Sequence, residues 1–277
     1  MTVSLGHLRA VVVKEFREYR RSPFILGTML VLPLIFLVEP LVIIFRLGAS
    51  VPASIADKSV GATFLLLLIT PVIIPAILAA YSVVGERDQG TLEPLLTTPI
   101  RRTELLLGKA VSMVLPAVLV AYILFALVEI AAHLFAANPA VIAELGQGPH
   151  ILAEALFAPL LAGWAVWVGI AISTRSSEVR VAQQLATLSS LPPLAFVALV
   201  SFNILTPDFT LALIFALVLL VADVVMWRIV SAMFDRERLI TGARAQAAAA
   251  AHRSPSPQGV VRRIPRAADS DEGSRDA

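Results

Sequence analysis

The sequence predicts an all-α, polytopic membrane protein with six transmembrane helices. Hydrophobic residues make up 58% of its 277 positions and charged residues only 15%, which is more apolar sequence than a water-soluble core of this size absorbs. The apolar residues are gathered into runs that reach the length a helix needs to cross a bilayer, about 20 residues. Within each run they follow one another without a two-residue alternation, which favours helices over the strands of a barrel.

Six such runs are separated by polar segments. The second and third runs contain internal prolines, Pro71, Pro75 and Pro116, so five spans with one re-entrant segment is the alternative to six full spans. Under the six-span interpretation, we expect the transmembrane helices at 24–45, 60–85, 110–135, 151–173, 182–202 and 209–230.

The basic residues predict the orientation of the spans. In a six-span chain, all but two of the 22 lysines and arginines fall on one side, and the exceptions are Arg46 and Lys58. The positive-inside rule places the basic side in the cytoplasm, together with both termini. The small net charge of +2 then follows from topology and gives no reason to expect nucleic-acid binding.

Both ends of the chain differ in composition from the six-span domain, which we place at 24–240. Residues 1–23 carry apolar residues at three- to four-residue spacing, with most basic residues off that stripe, which predicts an amphipathic helix in the cytoplasmic interface, against membrane lipid. The stripe consists of Leu5, Leu8, Val12, Phe16 and Tyr19. Residues 241–277 are rich first in Ala and then in Pro, Ser and Arg, which predicts a disordered cytoplasmic tail whose arginines can touch anionic lipid.

The polar loop between the second and third spans, residues 86–109, has the most informative pattern in the chain. Gly90 can end the helix that leaves the membrane, and Thr91 can cap a short new helix. Thr98 and Pro99 fit a cap and a first-turn proline that open the next helix. The pattern predicts a short helix inside a water-exposed loop.

One face of that short helix is apolar and bordered by charges. Leu92, Leu95 and Leu96 fall at the i, i+3 and i+4 positions of a helix. The bordering charges are Glu86, Arg87 and Glu93. Such a face suits docking into a groove on another protein, and the alternative is a solvated loop whose leucines are accidental.

Motifs of catalysis and of nucleotide binding are absent from the sequence. It contains no G-x-x-x-x-G-K-[ST] phosphate loop, no G-x-S-x-G elbow and no H-E-x-x-H pair. It also contains no cysteine, which excludes disulfides and thiolate metal sites. We therefore expect no enzymatic activity, metal or cofactor in this chain, and any ATP-driven work would be done by a partner chain.

The 86–109 loop also carries a series of residues in a distinctive order. They are Glu86-Arg87, Gly90-Thr91-Leu92-Glu93, Leu95-Leu96, Thr98-Pro99, Glu104-Leu105 and Gly108-Lys109. This order resembles the cytoplasmic signature of the permeases of type-2 ABC exporters, also called ABC-2 type permeases. The segments 173–193 and 234–239 are similar to the same family and support the match.

The resemblance implies the permease subunit of an exporter in the cytoplasmic membrane of a prokaryotic cell. Two six-span subunits, identical or related, would form the pathway, and two separate ABC ATPase subunits would bind ATP and Mg²⁺ below them. Closure of the ATPases would push on the short helix at 91–96 and tilt the second and third spans. The residues that the resemblance assigns to ATPase coupling are Glu86, Arg87, Gly90, Thr91, Leu92, Glu93, Leu95 and Leu96.

The acidic residues within the spans, Glu39, Glu129, Glu154 and Asp223, leave a second class of function open, an ion-coupled secondary transporter that uses intramembrane carboxylates and needs no ATPase. Glu39, Glu129 and Glu154 fall toward the outer leaflet, and His133 lies on the face of Glu129 at i+4. These four residues are candidates for an outer, polar part of the substrate path. The alternative is that Glu39 pairs with Arg46 and that the other acids reach head-group water.

Overall fold

The computed structural model of the protein describes residues 4–90, 100–146, 148–202, 204 and 209–233. This part of the chain is helical and contains no strand. Its helices are α1 (Leu5–Arg21), α2 (Pro23–Arg46), α3 (Ala53–Tyr81), α4 (Val84–Asp88), α5 (Arg102–Phe135), α6 (Pro139–Leu145), α7 (Gly148–Arg175), α8 (Val179–Ser189), α9 (Leu191–Ser201) and α10 (Phe209–Met233). The predicted short helix at 91–96 and the predicted tail at 241–277 lie outside the described residues.

Six helical segments of the described chain are long and apolar enough to cross a membrane, judged by length and composition. Each predicted span lies inside one of them, apart from residue 202 at the end of the fifth, and most of the helices extend beyond the apolar run at one or both ends. The segments are Pro23–Arg46, Ser54–Asp88, Arg102–Phe135, His150–Arg175, Val179–Ser201 and Phe209–Met233. The predicted fold class, an all-α protein with six membrane-spanning helices, is confirmed.

The third span begins at Arg102, before its apolar run and after the predicted Thr98-Pro99 start. Arg101 is the N-cap residue, and its backbone N–H donates to a carboxylate oxygen of Glu104 at 3.1 Å. This cap fixes the first turn of the third span, and the predicted cap and first-turn proline at Thr98 and Pro99 lie outside the described residues.

The second span is broken at residues 82–83, between α3 and α4, and a side chain from α7 fills the break. The Ser173 hydroxyl oxygen accepts the N–H groups of Val83 at 3.2 Å and Val84 at 3.1 Å, and the hydroxyl donates to the carbonyl oxygen of Ala80 at 2.7 Å. Ser173 is fully buried. It therefore satisfies, away from water, backbone groups that the break leaves without helical partners.

α3 and α7 form the centre of the bundle. Gly169 of α7 lies so close to Ala79 of α3 that a Cβ added at Gly169 would come within 2.5 Å of the Ala79 methyl carbon. The apolar segment of the second span is mostly buried, whereas those of α2 and α10 are mostly exposed. Apolar helices with exposed faces on the outside of a bundle are what contact with lipid requires.

The two ends of the bundle are different. We call the end that holds α1 and α4 the basic end, and the opposite end, which holds α6, the far end. At the far end, the Asn138 side-chain amide donates to the carbonyl oxygens of Gly48 at 3.1 Å and Val51 at 3.2 Å, while its Oδ1 accepts from Ala140 N–H at 3.0 Å. One side chain thus caps α6 and ties together the connections that follow the first and third spans.

Candidate coupling site at the basic end

Lys109, at the start of the third span, lies at the centre of a buried cluster of charges. Its side chain is 1% exposed, and its Nζ donates to Glu15 Oε1 at 3.0 Å, to Glu86 Oε1 at 2.8 Å and to the carbonyl oxygen of Ser82 at 3.1 Å. An ammonium group has three N–H donors, and all three are used here. The side chain joins α1, the break in the second span and α5.

Lys14 of α1 completes the cluster from the surface. Its Nζ lies 2.7 Å from Glu86 Oε1, 3.2 Å from Glu15 Oε1 and 3.0 Å from Glu18 Oε2. Glu86 Oε1 therefore accepts from both lysines, one fully buried and one partly exposed. Charge-assisted hydrogen bonds of this length are stronger than bonds between neutral groups.

α1 packs on α5 through a face that the predicted apolar stripe matches only in part. The buried residues of α1 are Val11, Glu15 and Tyr19, at four-residue spacing, whereas Leu5 is exposed. A Cβ added at Gly108 of α5 would lie 2.6 Å from a methyl carbon of Val11. Glycine at this position thus allows the close approach that brings Glu15 to its lysine partners.

In this cluster, the neighbouring opposite charges favour the charged forms of Glu15 and Lys14. Burial disfavours the ionised form of Glu15, but the ammonium groups of Lys109 and Lys14 outweigh it and hold the pKa of Glu15 below its usual value. Burial and Lys109 act against the charge of Lys14, yet Glu15 and Glu86 raise the pKa of Lys14 above its usual value. The acids and lysines accordingly form ion pairs at neutral pH.

A second contact holds the beginning of α1 to the beginning of α5. The Glu104 carboxylate accepts the backbone N–H of Ser4 at 2.8 Å and lies 2.8 Å from Nδ1 of His7, in addition to capping Arg101. Glu104 is buried. The helix that follows the loop is therefore fixed to α1 at two levels, through Glu104 and through Lys109.

A third contact holds the beginning of the loop to the end of the fourth span. Nη1 of Arg87, in α4, donates to the carbonyl oxygen of Ser176 at 3.2 Å. Ser176 directly follows α7 and is three residues after Ser173, whose hydroxyl bridges the break in the second span. α4 is consequently attached to α7 and to α5 at the same time.

Three carboxylates of the cluster are close enough to suggest a cation site, but lysines occupy it. Oxygens of Glu15, Glu18 and Glu86 lie within 4.8 Å of one another. Lys14 contacts all three, and Lys109 contacts two of them. A metal ion would have to displace the buried ammonium of Lys109, so we interpret the group as an ion-pair cluster.

The predicted coupling residues that the structure describes are Glu86, Arg87 and Gly90. Glu86 is buried and faces the lysines, and Arg87 is half-buried against Ser176. Gly90 is exposed and has a φ of 68°, the left-handed conformation expected where glycine ends a helix. The remaining predicted residues, Thr91, Leu92, Glu93, Leu95 and Leu96, lie outside the described residues.

Sequence reasoning did not single out Glu15, and it named Lys109 as part of the loop's signature without assigning it a role. A weak signal was present, because Glu15 lies four residues from both Val11 and Tyr19 on what becomes the buried face of α1. A charge on that face needs a partner in the interior. The partner, Lys109, is 94 positions away, and only the tertiary packing identifies it.

Two of the four residues predicted for the substrate path are in contact with each other. Glu129 Oε1 lies 3.3 Å from His133 Nε2, as the i+4 spacing predicts. Glu154 is 1% exposed, and in the described part of the chain no hydrogen bond or ion pair joins it or Glu39 to this pair. The alternative in which Glu39 pairs with Arg46 is not seen there, and one carboxylate oxygen of Glu39 is buried without a partner.

Taken together, the contacts of the basic end close the base of the 86–109 loop. The ion pair between Glu86 and Lys109 joins its two ends, α1 is bonded to both of them, and Arg87 adds the fourth span. At the basic end, buried or partly buried polar contacts thus join α1, α4, α5 and the end of α7.

Comparison with known proteins gives the same family as the sequence resemblance. A family model described as "ABC-2 family transporter protein" matches residues 9–239, which include most of α1, the loop and all six spans. Over 61 residues, the chain is 51% identical to the "Probable ABC transporter permease protein NosY" of Pseudomonas aeruginosa, a segment that covers 22% of this chain and 20% of that protein. The chain thus aligns with about a fifth of the length of this relative. The family model, which covers most of the chain, places it in the ABC-2 family of transporter proteins, as a membrane-spanning permease subunit of an ABC transporter.

Proposed function

We propose that this chain is the permease subunit of an exporter that moves its substrate outward across the cytoplasmic membrane, using ATP hydrolysis by a separate ATPase subunit. Family membership supports an ATPase partner in general, and that partner would bind the ATP and Mg²⁺ for which this chain has no phosphate-loop motif. The distribution of lysine and arginine supports a cytoplasmic position for the basic end and for both termini.

The Glu86–Lys109 ion pair is the observation that carries the proposal. It is 2.8 Å long, it is almost fully buried, and it joins the two ends of the loop. A loop with free ends would absorb a push from a partner by bending. A loop whose ends are clamped to each other and to the second and third spans transmits that push to the spans.

α1 extends the same connection. Lys14 and Glu15 attach it to the clamp, and Glu104 attaches its first residues to the start of the third span. A cavity of about 370 Å³ adjoins the cluster, lined by residues of α1, α2, α3 and α4, and it gives the basic end room to change its packing. We infer that α1, the loop and the second and third spans move together when the ATPase closes.

Six spans alone enclose little of a pathway, so we propose that two permease subunits, identical or related, assemble around it with two ATPase subunits. Mass measurement of the solubilised complex tests this assembly. Two permeases per particle are expected, and a particle with one permease would exclude the arrangement.

The loop itself is tested by copurification of the ATPase. Leu92→Asp and Glu93→Arg change the docking face predicted from the sequence. Both should reduce ATPase recovery and abolish substrate-stimulated ATP hydrolysis, while the permease still reaches the membrane. Lys58→Met, which removes an exposed charge at the far end, is the matched control. Unchanged recovery and unchanged hydrolysis in both loop variants would contradict the proposal.

A further inference from the structure

Glu154, in the fourth span, is a buried carboxyl group with no bonding partner. It is 1% exposed, and within the described part of the chain neither of its oxygens accepts a hydrogen bond or forms an ion pair. The cluster at the basic end shows the opposite arrangement, in which each buried acid meets an ammonium group. An ionised carboxylate without a donor or a cation is strongly disfavoured in an apolar interior.

Next to Glu154, one backbone carbonyl oxygen lacks its helical hydrogen bond, and a side chain from another span donates to it instead. Pro159 has no N–H, so the carbonyl oxygen of Ala155, four residues earlier, cannot receive its helical hydrogen bond. The hydroxyl of Tyr122, from α5, donates to this oxygen at 2.8 Å. This bond joins the third and fourth spans next to the buried carboxyl group, and Tyr122 is also close enough to interact electrostatically with Glu154.

No permanent cation is placed to neutralise Glu154. On α5, the ionisable neighbours are Tyr122 and, two to three turns toward the far end, the pair Glu129 and His133. On the other helices packed against α7, the stretches 60–80 of α3, 191–201 of α9 and 209–222 of α10 contain no ionisable residue. Outside these stretches lie Asp57 and Lys58 near the far-end start of α3, and Asp223 and Arg228 of α10, of which Asp223 faces Gly163 of α7. α8 contributes only Arg180, near the basic end, and α6 contributes only Glu144.

His150 supplies a route for a proton. It lies four residues before Glu154 on the same face of α7 and nearer the far end. Its Nδ1 is 2.6 Å from the carbonyl oxygen of Glu144, so Nδ1 donates and, in the neutral ring, the lone pair is on Nε2. A neutral imidazole of this kind can take up a proton that the carboxyl group releases and pass it to water at the far end.

We propose that Glu154 is a proton-binding site, loaded and unloaded from the far end through His150, whose occupancy controls the contact between the third and fourth spans. With the proton bound, the carboxyl group is neutral and the Tyr122 hydroxyl is bonded to the backbone at Ala155, as in the structure. When the proton leaves for His150, the new carboxylate requires a donor. The Tyr122 hydroxyl, bonded at the residue next to Glu154, can supply it, and its transfer to Glu154 frees the Ala155 carbonyl and loosens α7 next to Pro159.

This inference does not depend on the ATPase or on the coupling loop, and the isolated full-length permease suffices to test it. Dicyclohexylcarbodiimide is a suitable probe, because a protonated carboxyl group in apolar surroundings adds across its C=N bond and ends as a stable N-acylurea. Mass spectrometry of the labelled protein at neutral pH should locate an adduct on Glu154. Glu154→Gln should lose that adduct, whereas Glu178→Gln, at an exposed position, should keep it.

Infrared difference spectroscopy gives a second measurement that does not depend on reagent access. The C=O stretch of a protonated carboxyl group should be present in the wild type and in Glu178→Gln, and weaker in Glu154→Gln, whose amide preserves the shape of the neutral acid, while Asp223, which also has a buried oxygen without a partner in the described structure, keeps its own contribution. Tyr122→Phe should shift the disappearance of this band to higher pH, because the carboxylate loses its donor. A band unchanged in Glu154→Gln, no adduct at Glu154, or a titration unaffected by Tyr122→Phe would overturn the proposal.

Discussion

Removal of the Lys109 ammonium should detach α1 from the bundle. In Lys109→Met, the buried carboxylates Glu15 and Glu86 lose their shared partner, and Lys14, which is one-third exposed, is left to compensate both. Breaking a buried ion pair by removing one partner costs about 3–5 kcal/mol. If this cost falls on the docking of α1, the undocked fraction should rise roughly 100-fold or more, since about 1.4 kcal/mol corresponds to a factor of ten.

The absence of native cysteine makes this change measurable. Val11 is 3% exposed beneath α1, and Val11→Cys introduces a small apolar residue there whose thiol a water-soluble maleimide reaches only when α1 undocks. Labelling of the introduced thiol in detergent should accelerate about 100-fold in Lys109→Met, by the same cost of a broken buried pair. Lys58→Met, in the same background, should leave the rate unchanged.

A compensating change separates electrostatics from lost packing. Adding Glu15→Gln to Lys109→Met removes one of the two uncompensated charges and leaves Lys14 for Glu86, so part of the protection should return. The double variant should therefore label more slowly than Lys109→Met alone, which is a non-additive result. Wild-type labelling in Lys109→Met would refute the reasoning, because it would mean that the cluster does not hold α1.

Three further outcomes are expected. Labelling beneath α1 should stay low from about pH 5 to pH 10. Because the pKa of Glu15 is lowered, Glu15 stabilises the docked α1 above its unperturbed pKa of about 4.3, and this stabilisation is lost as the pH falls further. Because the pKa of Lys14 is raised, Lys14 stabilises the docked α1 below its unperturbed pKa of about 10.4, and this stabilisation is lost as the pH rises further. Ser173→Ala should destabilise the solubilised protein by about 1–3 kcal/mol, measured as a lower Tm, because two buried N–H groups of the broken second span lose their acceptor. Gly108→Val should undock α1 by collision with its apolar face, whereas Gly27→Val, at a position with open space around it, should not, as maleimide labelling would report.

The spans and their order could be predicted from the sequence because they depend on local composition. A continuous apolar run has one stable arrangement in hydrocarbon, which is a helix with all its backbone bonds internal. Local chemistry also predicted Gly90 at a helix end. The same reasoning could have found α6, since Asn138 followed by Pro139 is a cap and a first-turn proline, but the helix has only seven residues and is too short to be a span.

The contacts of the candidate site could not be predicted, because each one depends on helices that are distant in sequence. The bonds of Ser173 to the break in the second span connect residues about 90 positions apart. Glu15 meets Lys109 only because Gly108 lets α1 approach closely. Periodicity reveals which face of a helix is buried, but the partner of a buried charge is determined by packing.

The closed base of the loop has a consequence for variation within such transporters. Because Glu86 and Lys109 are bonded to each other inside the subunit, and Arg87 and Glu104 hold α4 and α5 to their neighbours, the sequence 91–99 between these two helices is the part that can be exchanged while the contacts around it remain. A segment held in this way is an interchangeable adaptor. The same six-span body could accept residues 91–99 of a relative, and with them the recognition of a different motor subunit, provided that the bonded residues on either side are kept.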